Sequence, residues 1–293
     1  MTVVAPTPVD IGPPPQRVED QTASTGSRVF AWLILLSGLT YFIAPLVATG
    51  ERAFRAIGST FSFEAFRRIL TDPQFLSTFS ASVVNAIATI FVSLLVIVPT
   101  AYWVTLKLPR LRSLVEFITL LPFVIPAVVL VFGLIRLYSG PPLLLLRTVG
   151  SSRIVLICAY AALSFPYMYR AVDNGLRAIN VRTLTEAAQS LGASWPTILW
   201  RVIFPNLRVA LLSGALLTFA IVVGELTIAL YLAQFTFPVY MSNLVRNFVA
   251  EPAALTILAF GMTWGAMGII AYLSRIQPGQ WRRKRKNQAV GES

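Results

Sequence analysis

Seven stretches of 16 or more residues in this 293-residue chain contain no charged residue. They are 29–50, 73–106, 117–135, 154–169, 209–224, 226–245 and 252–274, and their lengths run from 16 to 34 residues. About 20 apolar residues suffice to cross the hydrocarbon core of a bilayer as an α-helix. With no water to satisfy the backbone there, helices and closed barrels are the viable spanning structures. The stretch 154–169 is short, but Arg153 and Arg170 at its ends can snorkel to the interfaces. The two stretches flanking Glu225 read as one helix carrying a single buried carboxylate. Six spans result, at about 29–49, 78–105, 115–138, 153–172, 208–233 and 253–274. The expected fold class is an all-α integral membrane protein with six transmembrane helices. A soluble fold is excluded, because charged residues make up only 12% of the chain, roughly half the ordinary share.

The charges that remain orient the chain. Lys and Arg number 24 against 12 Asp and Glu. With both termini in the cytoplasm, 16 of the 24 basic residues fall on the inner face, as positively charged loops require. Six of these lie in the last segment, where Trp281-Arg-Arg-Lys-Arg-Lys286 suits anionic lipid headgroups better than nucleic acid. Residues 1–28 are polar and proline-rich, and read as a flexible cytoplasmic tail; 276–293 form a basic cytoplasmic tail. Histidine is absent, which removes His-based triads, HExxH zinc sites and His proton relays. The single cysteine, Cys158, sits in an apolar run and reads as a small packing residue. No metal site is expected. Pro99, Pro122, Pro126 and Pro166 fall inside spans and imply bent helices.

The segment 173–207 is too long and too patterned for a linker. Thr183-Leu-Thr-Glu186 fits a capping box, with Glu186 reaching back to the N-cap amide. Leu184, Ala187, Ala188 and Leu191 then recur at helical spacing as one small apolar face. Gly192 suits a left-handed helix stop, and Pro196 suits the first turn of a second short helix that stops near Pro205. Two short helices on the cytoplasmic face form a knob suited to docking another protein, or a loop packed on its own bundle.

These residues resemble a known family. Glu186-Ala187-Ala188, then Gly192, then Val202-Ile-Phe-Pro205, is similar to the EAA signature of the binding-protein-dependent, type I (MetI-like) permeases of ABC importers. Val202 and Phe204 stand where the family usually has Ile and Leu. Phe63-Glu-Ala-Phe66 with Asp72-Pro-Gln-Phe75, and Leu121-Pro-Phe-Val-Ile-Pro126, resemble further stretches of the family, so the likeness covers roughly 60–275. It implies a permease domain over 29–275 in a bacterial cell (inner) membrane. Glu186, Ala187, Ala188, Gly192 and Pro205 would then couple to a cytoplasmic ABC ATPase dimer. A second permease subunit, as homodimer or heterodimer, and an extracytoplasmic solute-binding protein would complete the machine. The chain itself has no G-x-x-x-x-G-K-[ST] phosphate loop, so ATP would be bound by the partner, and this chain would be a transport subunit rather than an enzyme.

Glu225, in Val222-Val-Gly-Glu-Leu-Thr-Ile-Ala229, resembles the fifth-helix stretch of the subgroup that imports polyamines, ferric iron, thiamine or aminoethylphosphonate. A carboxylate in mid-membrane is a functional hypothesis by default. It would face the pathway and meet a cationic solute, which points to a polyamine or related small charged solute, or an Arg of a partner subunit; otherwise it would be a protonated or paired structural carboxylate. Asn85 is a second pathway candidate, or a polar residue gluing helices together. The alternatives to an ATP-driven permease are an ATP-independent secondary transporter or channel, and a membrane-embedded enzyme.

Overall fold

A computed structural model describes residues 25–55, 61–248 and 250–275. The basic C-terminal tail and nearly all of the expected N-terminal tail lie outside the described residues. The chain divides into two units, Met1–Ala48 and Thr49–Ser293. Helix α1 (Thr25–Phe54) supplies the described part of the first unit, and residues 29–48 are exposed at every position.

The second unit is built on three long helices. Helix α2 (Glu64–Thr71) is short and leads into α3 (Pro73–Leu106). Asp72 sets that start: its carboxylate accepts from the Gln74 amide at 2.8 Å, and Pro73 occupies the first turn, where its missing N–H costs nothing. Next come α4 (Arg112–Val124), α5 (Ala127–Tyr138) and the 30-residue α6 (Val149–Ala178). Thr148 caps α6 by accepting from the Ser151 amide at 3.2 Å. After α7 (Val181–Ser190) and the single turn α8 (Trp195–Thr197), a π-helical segment Ile198–Ile203 runs straight into α9 (Phe204–Gly224). The short α10 (Thr227–Tyr231), α11 (Phe237–Asn247) and α12 (Ala250–Arg275) complete the chain.

Helices α3, α6 and α9 pack through small residues, as helices in lipid must when no hydrophobic effect drives them together. A Cβ on Gly175 would lie 2.6 Å from the Ala210 Cβ, and one on Gly214 would lie 2.7 Å from the Met168 sulfur. Ser93 and Ser164 share a buried hydrogen bond of 2.8 Å between α3 and α6.

The spans differ from the expectation in four ways. Among the described residues, four helices are long and apolar enough to cross a membrane, five if one bent pair is a single span, so the expected six are not reached on these residues. That pair is the expected span 115–138, which breaks between α4 and α5 at 99°. Ile125 precedes Pro126 and is driven to extended backbone (φ −86°, ψ 116°) by the proline ring. The expected span 208–233 also breaks, because α9 ends at Gly224 and Glu225 is extended (φ −82°, ψ 115°). Finally, the second knob helix does not stop near Pro205. Trp195–Gly224 is one continuous 30-residue stretch, with Pro205 in the first turn of α9.

Candidate functional site

The knob is held between α3, α6 and α9. Asn180, in the left-handed region (φ 46°), turns the chain from α6 into α7. The helix therefore starts at Val181, ahead of Thr183, and the capping box does not form. Glu186 instead pairs with Arg182 at 3.0 Å, with both side chains exposed. The buried face is Val181, Thr185 and Ala188, while Glu186 and Ala187 face outward and Leu191 is 88% exposed. The expected apolar face is thus split, and only Ala188 of its four residues is buried.

Gly192 does end α7 as expected. At φ 76° it lets its own amide reach the Gln189 carbonyl (2.9 Å) and the Ala193 amide reach the Ala188 carbonyl (3.0 Å). This is a Schellman closure, which a Cβ would oppose. Pro196 opens the next turn as expected. The Tyr102 hydroxyl bonds Thr185 at 3.1 Å, and the Trp195 ring lies 5.7 Å from Trp103, so both parts of the knob are pinned to the end of α3. Trp200 and Phe204 stack at 4.9 Å on its flank. The result is a rigid knob with an outward strip of Glu186, Ala187 and Leu191.

The second site is the pair of helix breaks. Val131 of α5, Tyr160 of α6, and Val222, Ile228 and Ala229 around the α9–α10 junction share one apolar cluster. Phe132 and Tyr231 meet across it at 5.0 Å. Half-buried Glu225 folds back on its own chain, and its two carboxylate oxygens accept from the Ile228 amide at 3.1 and 2.9 Å. It thereby caps α10. The Tyr160 hydroxyl donates to the Glu225 carbonyl at 3.4 Å. Asn85 is buried on α3 and accepts from Arg153 Nε at 2.7 Å. Arg153 therefore turns inward to α3 instead of snorkelling to the interface. Cys158 is exposed on α6, not packed.

Sequence reasoning missed a third cluster. Asp173, buried near the end of α6, accepts two hydrogen bonds from Arg112 (2.8 and 2.7 Å) and one from Arg177 (3.0 Å). Arg112 also holds Glu116 at 2.9 Å. The i,i+4 spacings of Arg112–Glu116 and Asp173–Arg177 are visible in the sequence, but the 61-residue separation of Arg112 and Asp173 is not informative there. At the end opposite the knob helices, Arg68 bridges Glu64 and Glu251 (2.7 and 3.1 Å), and both carboxylates raise its pKa. The Tyr240 hydroxyl donates to Asp72 at 2.6 Å; burial first, then this carboxylate, raises its pKa from the ordinary 10.0.

Long apolar helices, two broken ones that meet, and a pinned knob in a mid-chain loop define an all-helical membrane transport subunit. The family described as "Binding-protein-dependent transport system inner membrane component" matches residues 97–276, and the chain belongs to it. It is an ABC importer permease subunit, from a family of multi-pass inner-membrane proteins. The chain is 30% identical over 207 residues to the probable sulfate transport system permease protein cysT of Chlorokybus atmophyticus, covering 68% of this chain and 70% of that one. It is 28% identical over 246 residues to a probable molybdenum ABC transporter permease protein of Haloferax volcanii, covering 81% and 87%. It is also 28% identical over 204 residues to the molybdenum transport system permease protein ModB of Mycobacterium tuberculosis, covering 67% and 73%. In fold, it is similar to a chain from the crystal structure of a bacterial ABC transporter involved in the import of the acidic polysaccharide alginate. The TM-score is 0.60 at 20% identity, over 87% of this chain and 99% of that chain.

Proposed function

We propose that this permease carries a small tetrahedral oxyanion of the sulfate or molybdate class into the cytoplasm by alternating access. The observation that carries the reading is the naming of its relatives, which are sulfate and molybdenum permeases from an alga, an archaeon and a mycobacterium. The polyamine expectation finds no support among them. Its physical basis was a carboxylate facing a cation in the pathway; in the structure that carboxylate turns back to accept from the Ile228 amide of its own chain. In this reading Glu225 shapes the pathway by holding the break, and Asn85 fixes Arg153 beside it.

The knob formed by α7 and α8 docks in a cytoplasmic ABC ATPase, with Glu186, Ala187 and Gly192 at the contact, Ala188 seating the helix on its own bundle beneath them and Pro205 leading into α9. Both termini are cytoplasmic. A second permease subunit completes the pathway, and an outer binding protein delivers the solute. ATP closes the ATPase dimer, and the knob carries that motion to the helices. The membrane chain is thus a two-state element biased from both sides.

The test is uptake of radiolabelled sulfate and molybdate in the native host, with and without this gene, with putrescine as the cationic comparison. Gene-dependent uptake of either oxyanion upholds the reading. Gene-dependent putrescine uptake with neither oxyanion moved overturns it. ATP-independent uptake by the purified chain alone in liposomes would instead identify a secondary transporter.

A further inference from the structure

We propose that Arg112 and Asp173 are positioning residues that deliver the motion of the knob to the broken helix α4, with Asp173 as the point of attachment on which α4 pivots. The inference rests on the knob's being the ATPase-coupling element.

The knob, α3, α6 and α9 form one packed block. Val98 and Tyr102 of α3, Leu176 of α6, Val181 and Ala188 of α7 and Leu207 of α9 lie in a single apolar cluster. Gly175 and Gly214 seat α6 directly on α9. Two residues, Ile179 and Asn180, separate α6 from α7. A displacement of the knob therefore moves the last turns of α6, where Asp173 and Arg177 sit.

Helix α4 is attached differently. Thr119 is its one buried residue among those described. At its 99° junction with α5 the backbone ladder is interrupted by Pro126. A cavity of about 200 Å³ lies between α4 and α6, lined by Glu116, Thr119, Leu120, Tyr169, Arg170 and Asp173 among others. The first turn of α4 is meanwhile gripped by the two-pronged Arg112–Asp173 contact. Besides the clamp, α4 meets the block through half-buried Val115 and a ring contact to α6, Phe123 against Tyr167 at 5.1 Å. A helix with a charged clamp at one end, a ring contact that can slide at its broken end and a cavity alongside can swing on its clamp. Arg112 Nη2 sits between both Asp173 oxygens, a charge-assisted contact roughly twice as strong as a neutral hydrogen bond. Arg177 on the same helix face holds Asp173 in place, and Glu116 holds Arg112.

The test uses the transporter assembled with its ATPase and binding protein and reconstituted in liposomes. Arg112→Gln and Asp173→Asn should keep ATPase assembly and ATP hydrolysis but lower the solute imported per ATP by about tenfold, within the usual range of coupling between sites. Asp173→Glu, which can still reach Arg112, should recover most of the ratio, and Arg112→Lys should fall between. A second measurement needs no solute. A spin label at native Cys158 on α6 and another at Val124→Cys on α4 should change separation on vanadate trapping. Arg112→Gln should abolish that change. A wild-type import ratio in Arg112→Gln, or an unchanged nucleotide-driven separation, overturns the proposal. So does loss of ATPase assembly in Arg112→Gln, which would place the residue in docking. Loss of assembly confined to Gly192 variants upholds it.

Discussion

The seam between α6 and α9 sets the sharpest quantitative test. In Gly175→Ala the new Cβ falls 2.6 Å from the Ala210 Cβ and 2.9 Å from Leu207 Cδ2. Carbon atoms rest at about 3.5–4.0 Å, so the first contact is short by roughly 1 Å. Leu207 can rotate its end away. Ala210 has no rotamer to change, so the two helix backbones must part. Overpacking of this kind costs about 1–3 kcal/mol. For a chain of this size that lowers the thermal midpoint by roughly 2–12 °C. The assay is the midpoint of purified protein in one detergent, read by fluorescence-detected size exclusion. The companion Ala210→Gly removes the opposing methyl, at about 1 kcal/mol for glycine in a helix. The double variant moves the methyl from one helix to the other, and should be more stable than the sum of the singles by about 1–2 kcal/mol. Gly261→Ala, with nothing within 4 Å of its Cβ, is the control and should be neutral or slightly stabilising. A Gly175→Ala protein at the wild-type midpoint, or strictly additive singles, would refute the close-packing argument.

Four further outcomes follow from the same geometry. Glu225→Gln keeps an acceptor for the Ile228 amide and should retain most uptake, whereas Glu225→Ala loses the cap and about 0.5–2 kcal/mol, read as a lower midpoint. Gly192→Leu forces a branched side chain to φ 76° at about 1–2 kcal/mol, and should abolish co-purification with the ATPase while leaving the chain membrane-inserted. Tyr240→Phe removes a 2.6 Å bond to a carboxylate and about 1.5–3 kcal/mol of stability. Because the folded protein raises this hydroxyl's pKa, the wild-type advantage is full below pH 10 and shrinks as pH rises above it, as paired melts at rising pH will show. Asn85→Ala strands Arg153 between α3 and α6 and should cost about 1–3 kcal/mol, seen as the same midpoint shift.

The sequence located the helices because hydrocarbon tolerates few charges, and that signal is local. Gly192 and Pro196 were legible for a similar reason, since each meets a backbone demand set by its own neighbours. The bend at Pro126 was expected but not its sharpness, and the α9–α10 break was not expected, because a charge-free interval reports burial in lipid and is silent on whether the backbone ladder continues through it. Pro126 carried a clue in the extended bias it imposes on Ile125. Glu225 looked like a charge inside a helix because its role as a cap depends on where α9 stops. The capping box failed because Asn180, three residues upstream of Thr183, takes the left-handed turn and starts the helix early. Asp173 was hidden by its place at the edge of its expected span, and its partner lies 61 residues away.

The two breaks meet the same difficulty by opposite means. A helix that stops inside hydrocarbon leaves donors and acceptors that cost several kcal/mol each if nothing reaches them. At the α4–α5 corner the chain removes a donor, since Pro126 has no N–H, and its carbonyl still receives the Leu130 amide at 3.0 Å. At the α9–α10 corner it supplies an acceptor, the Glu225 carboxylate, and Tyr160 from α6 covers the Glu225 carbonyl. The first solution is intrinsic to its own segment and places no demand on a neighbour. The second borrows a hydroxyl from the block that carries the knob. The α9–α10 corner is therefore hydrogen-bonded to that block, while the α4–α5 corner meets it through apolar packing, with Val131 of α5 among Tyr160, Val222 and Ile228. Apolar surfaces slide past one another more readily than a hydrogen-bonded corner re-pairs, so the α4–α5 corner is the one expected to shift if the proposed alternating access operates.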